Sequence, residues 1–196
     1  MNARGNGSGK TYRSGRKTKR ALGQGAPEKG APEEAVLGEG ASEGRWAYAA
    51  AGAAVGLAAW AGARATGPSD AWYKTLNKPD WQPPTWAFPV VWTPLYASIA
   101  WSAGHALNRS RGRERAALAA GFGVNLAVNA AWTWLFFGRR SPASGVGGAL
   151  LLDASNLALI RRVARSDPKA AAALGPYAGW CGFATVLSAS IARRNR

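Results

Sequence analysis

The sequence is poor in the side chains from which catalytic and metal centres are usually built. It holds one cysteine, Cys181, and one histidine, His105, in 196 residues. An intrachain disulfide framework and a multi-Cys or multi-His metal site are therefore excluded. No Ser-His-Asp set and no phosphate-cradling glycine loop speaks for hydrolysis or phosphotransfer. Acids are scarce as well: 10 Asp plus Glu stand against 25 Lys plus Arg, a formal net charge of +15. What is abundant is tryptophan, with 10 residues, beside 25 glycines and 11 prolines. A mean hydropathy of −0.17 would suit a water-soluble chain, but it averages two unlike parts.

Residues 1–45 carry nine basic and five acidic residues and almost no large apolar side chain. Such a composition cannot bury enough surface to offset chain entropy, so this part reads as a disordered charged tail. A secretory signal needs an apolar core of roughly 7 to 15 residues, which residues 21–44 do not offer. Five glutamates argue against an organellar transit peptide. The basic cluster at 13–20 suits a tail lying near anionic lipid headgroups, and nothing downstream reads as a nucleic-acid-binding fold. No nucleic-acid partner is expected.

From Trp46 the pattern changes. Five apolar stretches follow, at 46–62, 86–107, 116–137, 142–160 and 170–192. Each ends at arginine, and Asp153 interrupts the fourth. Each approaches the roughly 20 residues that cross a hydrocarbon core as a helix. A soluble bundle would place a charged residue on each outer face about every turn. In lipid the backbone must satisfy itself, which leaves helices for stretches of this length. Residues 46–196 are thus expected to form an all-α integral membrane bundle of five transmembrane helices, with a Pro/Trp-rich loop between helices 1 and 2. With five crossings, the tail and the loops near 109–115 and 161–169 share one side and carry 17 of the 25 basic residues. The positive-inside rule then puts the N-terminus in the cytoplasm. If only Arg45 is kept from the tail, the two sides nearly balance.

The segment 71–97 reads AWYKTLNKPDWQPPTWAFPVVWTPLYA. Its prolines fix φ and deny it a continuous helix before residue 84. Rigid backbone and indole rings make a stiff aromatic lid at the interface, where Trp is at home. Three ordered patterns stand in residues 46–196. The first comprises Trp72, Tyr73, Leu76, Lys78, Pro79, Trp81, Pro83, Pro84, Trp86, Phe88, Val91, Trp92, Thr93, Leu95 and Tyr96. The second is Asn129, Trp132, Leu135, Phe136, Phe137, Gly138, Arg140 and Pro142, and the third is Pro176, Tyr177, Trp180, Phe183, Ala184 and Leu187. On these motifs the chain resembles the tryptophan-rich sensory protein and translocator protein family (TspO/MBR, historically the peripheral benzodiazepine receptor). The tail lies outside the resemblance. Pro89-Val90 stands where many members have Gly-Pro, and Gly148 where the family often has an acid. Ala189 and Ser190 stand where animal members place a tyrosine of a proposed cholesterol motif, so sterol binding is not supported.

Helical spacing puts Asn125, Asn129 and Trp132 on one face of the third helix, Trp92 and Tyr96 on one face of the second, and Tyr177, Trp180, Ala184 and Leu187 on one face of the fifth. If these faces converge below the lid, they enclose an aromatic cavity with a few hydrogen-bonding groups, suited to a flat and largely apolar ligand. The candidate ligand-binding residues are these nine together with Trp72, Tyr73, Pro83 and Pro84 of the lid. Asn125 and Asn129 serve equally as glue between helices. The resemblance implies that the indoles of Trp92 and Trp180 line a porphyrin pocket and that a homodimer forms. The small residues Gly52 and Gly56, and Ala117, Gly121 and Asn125, suit either that contact or packing within one chain.

Asp153 is either a functional intramembrane carboxylate or a group hydrogen-bonded by Asn156. His105 reads as a solvated side chain at the membrane boundary rather than an axial haem ligand. Cys181 reads as a small buried hydrophobe, and Trp46, Trp60 and Trp101 as interface anchors. The resemblance implies a membrane receptor or carrier in contact with lipid, binding porphyrins such as protoporphyrin IX or haem non-covalently in a sensory or tetrapyrrole-handling role. The alternative is light- and oxygen-dependent porphyrin breakdown through Trp92 and Trp180. No metal is expected, and the Ala- and Gly-rich chain fits a bacterial plasma membrane.

Overall fold

The computed structural model describes residues 33–66 and 70–196. Seven α-helices follow in order: α1 Glu33–Thr66, α2 Asp70–Thr75, α3 Ala87–Arg109, α4 Gly112–Thr133, α5 Pro142–Ala164, α6 Pro168–Ala173 and α7 Gly175–Arg194. No strand occurs among the described residues. Helix α1 takes in residues 33–45, which the sequence reading assigns to the tail; residues 1–32 of that tail lie outside the described residues.

Four segments are long and apolar enough to cross a membrane: Gly44–Thr66, Gly112–Gly138, Pro142–Ala164 and Pro168–Arg194. Helix α3 is the fifth long helix. Its 23 residues rise about 35 Å and carry no charge before Arg109, while indoles, hydroxyls, prolines and a histidine lower its hydropathy. The five-helix all-α bundle is the expected one. Its outer surface inverts that of a soluble protein: Leu57, Val90, Val124, Leu150, Leu151 and Leu157 all point outward. Contiguous apolar surface of this kind needs lipid to cover it.

Helix α1 packs on α3 and α4, α4 on α5, α5 on α7, and α3 also on α6. The interior is closed by Ile99, Leu118, Leu152, Leu174 and Tyr177, each at most 2% exposed. The third and fifth apolar stretches are less regular than a single helical period implies. Helix α4 ends in a π-helical turn, Trp134–Gly138. The last stretch divides at Leu174 because Pro176, in the first turn of α7, has no N–H to continue the ladder.

The turn into α5 explains its sequence. A Cβ on Gly138 would lie 2.8 Å from the Trp134 ring, and Arg140 sits in the left-handed region at φ 48°. Ser141 then caps α5, its side chain accepting from the Ser144 N–H at 3.3 Å, with Pro142 at the first helical position.

Candidate ligand cavity

At the end of the bundle that carries the Pro/Trp segment, α1, α3, α4 with its π turn, and α7 diverge around a cavity of about 450 Å³. Helix α3 supplies Phe88, Pro89, Trp92 and Tyr96; α4 and the π turn supply Trp132, Thr133, Phe136 and Phe137. Helix α7 adds Ala184, Leu187, Ser188 and Ile191, and α1 adds Ala59, Gly62, Ala63 and Thr66. Tyr73 and Thr85 come from the lid. No charged side chain is among these residues.

Local sequence sets this wall. Pro94 in α3 leaves the Val90 carbonyl without its helical N–H, and the Thr93 hydroxyl donates to the Pro89 carbonyl at 2.8 Å. On either side of that break, Trp92 and Tyr96 stack with ring centroids 5.1 Å apart and planes at 29°. Trp132 stands 6.5 Å from Trp92. Helices α1 and α4 approach closely where Gly62 faces Thr133, and the Trp134 indole donates to the Ala61 carbonyl at 3.1 Å. Above the cavity, Tyr73 packs against Phe136 and Phe137, and its hydroxyl donates to Gln82 at 3.2 Å. Burial pushes the Tyr73 phenol up to about 12, so it stays a neutral donor at any physiological pH.

Of the thirteen candidate residues, Tyr73, Trp92, Tyr96, Trp132, Ala184 and Leu187 reach the wall. The other seven do not. Trp72 supports the lid through an edge contact with Phe136 at 5.9 Å. Pro83 and Pro84 form the turn that delivers α3, the Pro84 carbonyl accepting from the Ala87 N–H. Trp180 packs behind Phe88, at 6.0 Å, and stacks on Phe183. Asn125, Asn129 and Tyr177 lie deeper and join the helices: the Tyr177 hydroxyl donates to Asn125 at 3.2 Å and accepts from Asn129 at 3.0 Å. Asn125 in turn donates to Asn156 at 2.7 Å. The edge of Trp92 packs on Tyr177 at 6.1 Å, which ties this polar girdle to the wall above it.

Two other expectations are corrected. Asp153 accepts from Thr185 at 2.6 Å, while the Asn156 oxygen accepts from Asn125 and its buried Nδ2 has no hydrogen-bond partner. His105 is not simply solvated: its Nδ1 meets Asp167 at 2.5 Å, and its ring stacks on Trp101 at 4.6 Å. Asp167 is fully buried, accepts the Ala170 N–H at 3.0 Å and has Arg109 at 3.9 Å. Burial alone would raise its carboxyl, but the Ala170 N–H, His105 and Arg109 hold it below the usual carboxylate value. The Ser98 and Ser102 hydroxyls donate to the Ala173 and Ala170 carbonyls, lashing α3 to α6. Cys181 is buried, and Trp46 and Trp60 are exposed, as expected.

The family model of TspO/MBR matches residues 49–194, which contain the whole cavity. The chain belongs to the TspO/MBR family. It is 37% identical over 126 residues to Protein CrtK of Rhodobacter capsulatus, covering 64% of this chain and 79% of that one. It is 32% identical over 129 residues to the tryptophan-rich protein TspO of Chlorobaculum tepidum, covering 65% and 82%. Against the human translocator protein it is 32% identical over 126 residues, covering 63% and 75%. Membership and the apolar helices together make this an integral membrane protein. Within this TspO/MBR chain, Gly148 is the residue that lets α5 approach Trp132: a Cβ there would lie 3.3 Å from both the Trp132 Cα and its ring. The buried Trp132 indole N–H has no hydrogen-bond partner.

Proposed function

We propose that this chain is a membrane receptor or carrier that takes a porphyrin, such as protoporphyrin IX or haem, into the cavity beneath the lid. The observation that carries this reading is an uncharged wall on which Trp92, Tyr96 and Trp132 offer ring faces and edges around about 450 Å³. That is the make-up of a site for a flat apolar ligand of small-molecule size. Because no lining residue is charged, burying a carboxylate there would be costly. A porphyrin therefore enters ring first and leaves its propionates at the rim, on the side of Lys78, whose ammonium lies 5.1 Å from the Tyr73 ring centroid. Family membership supports a sensory or tetrapyrrole-handling role.

Trp92 on the wall with Trp180 behind Phe88 supports binding in preference to chemistry that needs both indoles against the ring. In this reading the chain lies in a bacterial plasma membrane with its N-terminus cytoplasmic, supported by the Ala- and Gly-rich composition and by the distribution of basic residues between the two sides of the bundle. A second copy packs on the outer face of α1, where Gly52 and Gly56 meet nothing within 4 Å. The test is titration of protoporphyrin IX into the purified protein in detergent, followed by tryptophan fluorescence. Saturable quenching is expected, weakened in Trp92→Ala; absence of saturation rejects the reading.

A further inference from the structure

The lid is fastened at a point that lies outside the cavity wall. The Asn195 carboxamide accepts the Asn77 N–H at 2.9 Å and donates to the Asn77 carbonyl at 2.9 Å. Both backbone groups of one lid residue are thus satisfied by one side chain 118 positions away. The same Nδ2 also donates to the Ile191 carbonyl at 2.8 Å. Ile191 lines the cavity one helical turn below. This contact fixes the carboxamide in place.

Within the lid the polar bonds are local. Lys78 Nζ donates to the Tyr73 and Lys74 carbonyls, and Tyr73 to Gln82. Ring contacts join lid to bundle, Tyr73 on Phe137 and Trp81 on Phe183 at 5.9 Å. Ring edges tolerate sliding, whereas a two-point amide pair has one register.

We propose that Asn195 is a latch: it fastens the segment 70–86 over the cavity and sets how often the cavity opens. Its bonds are at the aqueous boundary and each is worth little, so the latch releases and reseats readily. Losing both raises the open fraction about tenfold. The proposal refines the ligand reading above, since it assigns control of access to the same cavity.

Cavity access is measured without any ligand. Ser188 lines the wall beneath the lid, so Ser188→Cys in a Cys181→Ala background reports opening through its rate of reaction with a small water-soluble thiol reagent. Adding Asn195→Ala is expected to raise that rate about tenfold at unchanged melting temperature. Asn195→Asp keeps the acceptor for the Asn77 N–H but loses both donated bonds, and should give an intermediate rate. Equal rates in all three proteins overturn the latch. So does a rise that is matched by a fall in melting temperature, because that reports general loosening. In a second arm, Asn195→Ala should speed both association and release of protoporphyrin IX while changing its Kd less than either rate. If protoporphyrin IX fails to bind even the unaltered protein, the ligand reading falls and the labelling rates still decide the latch.

Discussion

Where α3 ends, a fully buried carboxylate is met by an imidazole, a guanidinium and a backbone N–H, and two serines lash α3 to α6. Where α3 begins, the same helix meets aromatic edges, a lid and a cavity whose wall holds no charge. One end is closed by several directional bonds that converge on an unexposed carboxylate, which is costly to leave unpaired. The other is closed by ring contacts and an amide pair at the water boundary. A helical membrane protein can thus hold its frame at one end and keep the other free to admit a ligand, with the Asn125, Asn129, Asn156 and Tyr177 girdle between them.

Substitution at the fixed end should cost the most stability. Asp167→Ala removes the cap of α6 and the carboxylate that His105 and Arg109 meet, at a cost on the order of 2 kcal/mol. A large drop in melting temperature in detergent is expected, with porphyrin affinity of the folded fraction kept. Trp92→Ala should do the reverse. Loss of one stacked ring removes about 2 kcal/mol of binding, roughly thirtyfold in Kd, with a smaller fall in melting temperature than in Asp167→Ala, because one side of Trp92 faces the cavity while its edge packs on Tyr177. If both variants change both quantities alike, the two ends are not independent.

Gly145→Ala joins the two effects. A Cβ at residue 145 would lie 2.2 Å from the Phe136 ring, and Phe136 is both buried and part of the wall. Pushing it inward costs about 1 to 2 kcal/mol and shrinks the cavity, so a lower melting temperature should accompany a smaller porphyrin-binding amplitude. The mildest test is acid. A carboxyl held below its unfolded pKa of about 3.9 contributes its stability in full above that value. The contribution is lost as the pH falls through the lower pKa of the folded state. Melting temperature should therefore fall in that window in the unaltered protein and lose this component in Asp167→Asn.

The frame was readable because long uncharged stretches ending at arginine have one structural solution in lipid. The ends of elements were less so: a π turn carries no compositional mark, and the break before α7 falls inside the stretch 170–192 that was read as one helix, although Pro176 stands at it. For the cavity, helical spacing chose the right faces but not the depth. Asn125, Asn129 and Tyr177 share their faces with Trp132 and Ala184, yet sit two turns or more away from the lid, where the helices still touch. The α1 wall of Ala59, Gly62, Ala63 and Thr66 was missed because small residues also suit plain packing. The His105 and Asp167 pair, 62 positions apart, joins the last turns of α3 to the cap of α6, whose proximity exists only after the bundle assembles. The signal for it was an aspartate followed by proline, a helix cap with a free oxygen to spare.

The turn at Trp134–Gly138 spends an extra residue per revolution compared with ordinary helix. That slack is what allows two consecutive phenylalanines, Phe136 and Phe137, to look into one chamber. Deleting a single amino acid there would restore regular pitch and swing one of the two rings by about 100°, toward the surrounding acyl chains. The roof of the chamber therefore depends on an irregularity of winding as much as on the identity of its side chains.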